Sequence, residues 1–226
     1  MAKPDNKGIY SFQDWLTWEG TWELINGKAY NTSSAPTSRH QFIVGELHFS
    51  LRTFLQNQKC YVFVAPFDVY FSENEQYDTP DHVVQPDLSV ICSKDQIFKN
   101  GCHGAPSLII EVLSPSTALK DFNEKFNLYQ KYGVHEYWIV DPGNQTVHVY
   151  TLEDGSYQDR RLYTEDQRFN RSCSRNWRSL FSSCSGWNRI YMEILRRSAS
   201  GVFFMSFSGS SYIKNDTQSP HSTYYL

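Results

Sequence analysis

The chain has no apolar run of about 18 residues, the length a membrane-spanning helix needs, and its start, Met1-Ala2-Lys3-Pro4-Asp5, lacks the apolar core of a signal peptide. Both absences lead to the expectation of a cytoplasmic protein with no membrane partner. No CxxC pair is present. The five cysteines, Cys60, Cys92, Cys102, Cys173 and Cys184, are odd in number and read as reduced, incidental thiols. Cys102-His103 has no second Cys/His pair to complete a metal site. Charge is also scarce: the net value is -3 at pH 7, so the bulk composition does not advertise a nucleic-acid binder, although a local basic patch is compatible with it. No internal repeat is visible, and neither is a methyltransferase or specificity domain.

What is present suits a folded domain. The 226 residues, 40% of them hydrophobic and 16% aromatic, are enough for one ordinary domain with a sizeable core and additional material. Residues 10–20 predict a short amphipathic helix with Phe12, Trp15 and Leu16 on one face. Trp22 to Tyr30 carries Asn26-Gly27 at its centre, the strongest two-residue hairpin signal. A helix is expected over Ser38 to about Gln56, because Ile43, Val44, Leu47, Leu51 and Leu55 recur at helical spacing, with His40 on the same face. Strand-forming residues then run from Tyr61 to Phe71, with Pro66 marking an edge or a bend. Asn74 to Gln85 reads as a polar loop.

The runs Leu88 to Cys92 and Leu108 to Leu113 predict two further strands, joined by a glycine-containing loop. Ser114-Pro115-Ser116-Thr117 then opens a helix that Gly133 ends. Leu119, Phe122, Phe126 and Tyr129 are expected to form its buried stripe. Glu136 to Val140 and Thr146 to Leu152 predict a hairpin around Asp141-Pro142-Gly143-Asn144. This order implies an α/β fold with a mixed sheet.

Chemistry concentrates at Asp87, Glu111 and Lys125. Glu111 interrupts an otherwise apolar strand, and a lone buried carboxylate costs several kcal/mol unless something pairs with it. Alternation puts Asp87, Ser89 and Ile91 on one face, and Ile109, Glu111 and Leu113 on one face of the other strand. If those strands are neighbours in register, Asp87 and Glu111 can share a divalent cation through hard oxygen ligands. Lys125, on the following helix, either reaches Glu111 or forms a surface ion pair with Asp121 worth roughly 0.3–0.5 kcal/mol. A carboxylate pair beside a lysine suits metal-dependent phosphodiester hydrolysis. A metal-independent glycosidase also uses two carboxylates, but leaves the lysine without a role.

The spaced motifs resemble a known family. Pro86-Asp87-Leu88-Ser89-Val90, then Glu111 to Thr117, then Asp121-x-x-x-Lys125, then Tyr132-Gly133-Val134-x-Glu136-Tyr137-Trp138-x-Val140-Asp141-Pro142 are similar to the Uma2 family (DUF820). Trp22-Glu23-Leu24-Ile25-x-Gly27 and His40 match as well. These are restriction-endonuclease-like proteins of the PD-(D/E)XK superfamily, abundant in cyanobacteria. The resemblance covers residues 10–163. It implies a restriction-endonuclease-like α/β core, with a mixed central β-sheet flanked by helices, and a Mg²⁺- or Mn²⁺-dependent endonuclease acting on DNA. A catalytically silent DNA- or protein-binding module on the same fold is the alternative. The implied metal ligands are Asp87, Glu111 and the Val112 backbone carbonyl. Lys125 is the implied catalytic lysine, and Glu23, His40 and Asp121 are accessory. The superfamily lysine two residues after the acid falls here on Leu113, and Lys125 stands in for it. A homodimer is expected by analogy, because two-strand cleavage commonly uses two sites.

Composition changes near the end, which divides the chain into a nuclease-like domain over residues 1–165 and a divergent Ser/Arg-rich tail over 166–226. From Arg168 to Leu226 there are eight basic and two acidic residues. The tail is expected to lack a packed core and to take no part in the site. A shifted reading frame would produce such text, as would a lineage-specific extension; the first is favoured.

Overall fold

The computed structural model describes residues 3–4, 8–32 and 35–164. The Ser/Arg-rich tail, with Cys173 and Cys184, lies outside the described residues. In chain order the elements are α1 (Phe12–Trp15), β1 (Trp22–Ile25), β2 (Lys28–Asn31), α2 (Ser38–Phe54), β3 (Tyr61–Val64), β4 (Asp68–Phe71), β5 (His82–Val84) and β6 (Leu88–Ile91). A 3₁₀ turn (Lys94–Gln96) leads into β7 (Ile97–Phe98), β8 (Gly101–His103) and β9 (Leu108–Val112). There follow α3 (Ala118–Lys120), a π-helical turn (Asp121–Lys125), α4 (Phe126–Tyr132), β10 (Glu136–Asp141), β11 (Thr146–Glu153) and β12 (Ser156–Thr164).

The fold is mixed α/β, as expected, and its strands divide into two six-stranded sheets. The main sheet runs β12-β11-β10-β9-β6-β3, with β9 and β10 parallel and the other pairs antiparallel. The flanking sheet runs β2-β1-β5-β4-β8-β7, with β4 and β8 parallel. One face of the main sheet is covered by α2, whose Ile43, Val44, Leu47 and Leu51 pack on Val62, Leu88, Val90, Ile110, Val112 and Trp138. The other face meets Leu128 and Tyr129 of α4 and the flanking sheet's Ile25, Val69, Phe71 and Val84. Burying each large apolar side chain contributes about 1.5–3 kcal/mol. These two layers fix the main sheet from both sides.

Local chemistry accounts for several boundaries. Thr37 caps α2, its side chain accepting from the His40 N–H. The β1–β2 turn has positive φ at both Asn26 (51°) and Gly27 (71°), the conformation that Asn-Gly favours. The bend expected at Pro66 separates β3 from β4 and sends them to different sheets.

Other expectations are corrected. α1 is a single capped turn, and Leu16 is exposed. The polar loop contains β5, and the loop after β6 contains the β7–β8 hairpin. These strands are two or three residues long, too short for alternation to declare itself. Leu119 is 81% exposed and does not belong to the buried stripe. The π turn after it inserts a residue into the helical repeat, so the apolar spacing no longer tracks one face. The thiol expectation also fails: Cys60 and Cys92 form a disulfide. The β3–β6 register pairs Tyr61 with Ile91, which places the two flanking cysteines opposite each other. Cys102 is free and buried. Among the described residues, no helix is long and apolar enough to cross a membrane.

Candidate active site

The β6–β9 ladder pairs Leu88 with Ile110 and Ser89 with Ile109 in antiparallel register. Continuing it by one residue sets Asp87 opposite Glu111. Ile110 and Val112 point toward α2, so Glu111 faces the other layer, where α4 and the flanking sheet close over it. Glu111 is 4% exposed. Its Oε1 accepts from Lys125 Nζ at 2.7 Å and from the Tyr129 hydroxyl at 2.9 Å.

Asp87 is held at the same end of the sheet. Its Oδ2 accepts from the Val112 N–H at 2.7 Å and lies 3.1 Å from His40 Nε2. These bonds leave Oδ1 outside them. The hydrogen bond to Asp87 raises the pKa of His40, opposed by burial, with the Asp87 charge and the Val112 backbone adding to the rise. Asp87, the Val112 N–H and His40 therefore meet at one point, beside Glu111 on the same strand as Val112.

Lys125 is 3% exposed and is not a surface partner of Asp121. Its Nζ lies 2.7 Å from Glu111 Oε1, 2.9 Å from Glu23 Oε1 and 3.8 Å from Asp121 Oδ1. Burial disfavours the ammonium, but Glu111, Glu23 and Asp121 more than reverse this and hold its pKa well above the ordinary lysine value. Glu23, fully buried on β1, also accepts from the Gln85 N–H at 2.9 Å and from Lys120 Nζ at 2.6 Å. Burial pushes its carboxyl upward, and Lys125 and Lys120 outweigh that and lower it.

Glu111 and Asp121 end on the other side of the ordinary carboxylate value. Burial pushes Glu111 up to about 8, Lys125 resisting and Asp121, Asp87 and Glu23 assisting. Burial likewise raises Asp121, against Lys125, and its Oδ1 is buried with no hydrogen-bond partner. The cluster thus brings together three carboxylates, Glu23, Glu111 and Asp121, around two ammonium groups, Lys120 and Lys125, while Asp87 pairs with His40 beside it. Burial first, and the neighbouring carboxylates after it, strengthen proton binding at Glu111, whereas Glu111, Glu23 and Asp121 strengthen it at Lys125.

The donor set fits Mg²⁺ or Mn²⁺. Among the described residues no group of three or more His, Cys, Asp or Glu side chains forms a ready-made metal cage. Mg²⁺ does not ask for one: it is typically held through one or two carboxylates and keeps several waters. Asp87, Glu111 and the Val112 carbonyl are a set of that kind.

Of the sequence-derived site residues, Glu23, Glu111, Asp121 and Lys125 share one ion-pair cluster, and His40, Asp87 and the Val112 N–H form a second group that adjoins it through the Glu111–Val112 peptide. Two participants were absent from that set. Tyr129 was read only as an apolar stripe residue, although its hydroxyl needed a buried acceptor. Lys120 lies five residues before Lys125, a spacing that does not share an α-helical face and does share one across a π turn.

The two-sheet α/β core is that of a nuclease-fold protein. The chain matches the crystal structure of “a putative nuclease belonging to DUF820” from Anabaena variabilis ATCC 29413 with a TM-score of 0.59. That match covers 82% of this chain and 98% of the other at 20% identity, and is a likeness of fold. The Uma2 family model, described as “Putative restriction endonuclease”, matches residues 11–178, and the chain belongs to the Uma2 family. The match continues past residue 165 into the tail. The chain is also 28% identical over 120 residues to the uncharacterized protein sll1609 of Synechocystis sp. (strain ATCC 27184 / PCC 6803 / Kazusa). That alignment takes in 53% of this chain and spans 65% of the relative's length.

Proposed function

We propose that this protein is a Mg²⁺- or Mn²⁺-dependent endonuclease that hydrolyses DNA phosphodiester bonds. The observation that carries the proposal is the buried Glu111–Lys125 ion pair with Asp87 beside it, one step beyond the Leu88–Ile110 rung of the β6–β9 ladder and bonded to the Val112 N–H. Asp87, Glu111 and the Val112 carbonyl would hold the cation. When bound, it would polarise the scissile phosphate and lower the pKa of an attacking water.

The chain's own groups have separate tasks. The Val112 N–H and His40 fix Asp87 through Oδ2 and leave Oδ1 for a ligand. Tyr129 fixes Glu111 through Oε1. Glu23 and Asp121 keep Lys125 charged once Glu111 is shared with a cation. Lys125 then orients water and stabilises charge developing on the phosphate. Because water excluded from such a cluster cannot screen it, a preorganised ammonium acts more strongly there than at the surface.

The test is cleavage of supercoiled and linear DNA with Mg²⁺ or Mn²⁺, comparing wild type with Asp87→Ala. Cleavage that needs metal and is lost in the variant is expected; metal-independent cleavage, or equal rates, would overturn the reading. Leu113 at the superfamily's usual lysine position gives the second reading its basis: a silent DNA- or protein-binding module. It predicts metal binding without cleavage. Under the endonuclease reading we place the protein in the cytoplasm, with DNA as partner. We also take it to be a homodimer, which sedimentation would test.

A further inference from the structure

Glu23 uses its two oxygens for two different lysines. Oε1 lies 2.9 Å from Lys125 Nζ, and Oε2 accepts from Lys120 Nζ at 2.6 Å. The two lysines come from the ends of one π turn, Lys120 immediately before Asp121–Lys125 and Lys125 at its close. Hydrogen bonds across a π turn span five residues instead of four, which brings residues five apart onto one side of the backbone. In an uninterrupted α-helix, only one of the two could face β1.

Lys120 is itself held in place. Its ammonium lies 5.4 Å above the centre of the Tyr30 ring. Tyr30 is the cross-strand partner of Glu23 in the β1–β2 ladder. One hairpin rung therefore presents both an aromatic face and a carboxylate to the same ammonium, and the side chain is only 12% exposed. This is a fixed cation, not a surface lysine sampling solvent.

We infer that Lys120 is a positioning residue for the proposed reaction: by holding Glu23 Oε2, it turns Oε1 toward Lys125 and keeps Lys125 between Glu23 and Glu111. The inference rests on the reading of Lys125 as the lysine of a metal-dependent site. Without Lys120, Glu23 keeps the Gln85 N–H and Lys125 on Oε1, and its buried Oε2 has no donor but Lys125 to turn to. Lys125 is then drawn toward Glu23 and away from Glu111 Oε1. A displacement of about 1 Å in such a group costs about 100-fold in rate. Substrate binding, which does not pass through Glu23, is left largely intact.

The experiment compares wild type with Lys120→Met and Lys120→Arg in the full chain. The Nζ resonance of Lys125 is followed by nitrogen-15 NMR without metal, and kcat and KM are measured with Mg²⁺ and duplex DNA. In Lys120→Met the protected Lys125 ammonium signal is expected to shift or vanish. Its kcat should fall about 10- to 100-fold, with KM within about twofold. Lys120→Arg, which can still donate to Oε2, should restore both. Tyr30→Leu removes only the ring beneath Lys120 and should move the signal the same way to a smaller extent; it serves if Lys120→Met does not fold. A Lys125 signal and kcat at wild-type values in Lys120→Met, or an unmoved signal in Tyr30→Leu where that variant must serve, would overturn the inference, even with a lowered Tm. If wild type cleaves no DNA, the endonuclease reading fails, while the metal-free signal still decides whether Lys120 positions Lys125.

Discussion

Lys125 Nζ stands 2.7 Å from Glu111 Oε1, although the side chains come from a helical turn and a strand 14 residues apart. Neither is a surface group, and each is the other's nearest opposite charge. Desolvating such a pair is expensive, and replacement by apolar residues is often neutral or stabilising. On the proposed reading the pair serves the reaction and not chiefly the stability of the core.

Lys125→Ala is expected to lose most nuclease activity and to keep metal binding. An ammonium that acts on water or phosphate contributes in the transition state, not to affinity for the cation. The variant also leaves Glu23, Glu111 and Asp121 short of a counter-charge, a loss of about 3–5 kcal/mol in the metal-free protein. Part of this returns when Mn²⁺ is added. Urea unfolding with and without Mn²⁺, beside a cleavage assay, checks both halves.

Divalent cations should raise the Tm of the wild type. Binding to the native state at 100 times Kd contributes about 2.7 kcal/mol. Asp87→Ala and Glu111→Ala should each remove most of the shift, whereas exposed acids such as Glu75 should not matter. Differential scanning calorimetry across a Mn²⁺ series gives the answer; an equal shift in Asp87→Ala would contradict the assigned ligands.

Acid should destabilise the fold through His82. Burial lowers this imidazole to about 4 from an ordinary 6.5, and its Nδ1 accepts from the Asn26 N–H at 3.1 Å. The unfolded chain takes up a proton that the native state refuses, so stability falls as pH drops from 6.5 toward 4 and levels off below. The loss from this group is about 3 kcal/mol. His103 and His135, also lowered by burial, act in the same direction, whereas His40, raised by Asp87, and Glu111 and Asp121, raised by burial, act oppositely. Measured by urea unfolding, wild type should lose about 3 kcal/mol of stability relative to His82→Gln as pH falls through this range.

Gly101→Ala should destabilise without touching the cluster. At φ +152°, a Cβ here would lie 2.2 Å from the Asp68 carbonyl oxygen, its backbone partner across the β4–β8 pair. A backbone atom cannot swing aside as a side chain can. The expected cost exceeds about 2 kcal/mol, read as a lower urea midpoint with Mn²⁺ affinity unchanged.

The sequence by itself determined the long elements and the chemical core. Helical recurrence from Ile43 to Leu51, the Asn26-Gly27 turn and the apolar strand around Glu111 each carry a strong local signal, because backbone geometry alone sets their spacing. Glu111 stood out because an ionisable group is costly where the surrounding pattern says buried, and strand alternation and the following helix offered Asp87 and Lys125 as its partners. Tertiary structure decided what depends on partners far along the chain. β5, β7 and β8 are too short to alternate legibly and exist because neighbouring strands accept their hydrogen bonds. The Cys60–Cys92 bond follows from the β3–β6 register, which cysteine counting cannot see. Only the folded chain puts Lys125 on Glu23 and Glu111 instead of on Asp121, and only the π turn lets Lys120 join it. Sequence spacing assumes one helical repeat, whereas the buried carboxylates of two sheets reward the wider turn that satisfies them.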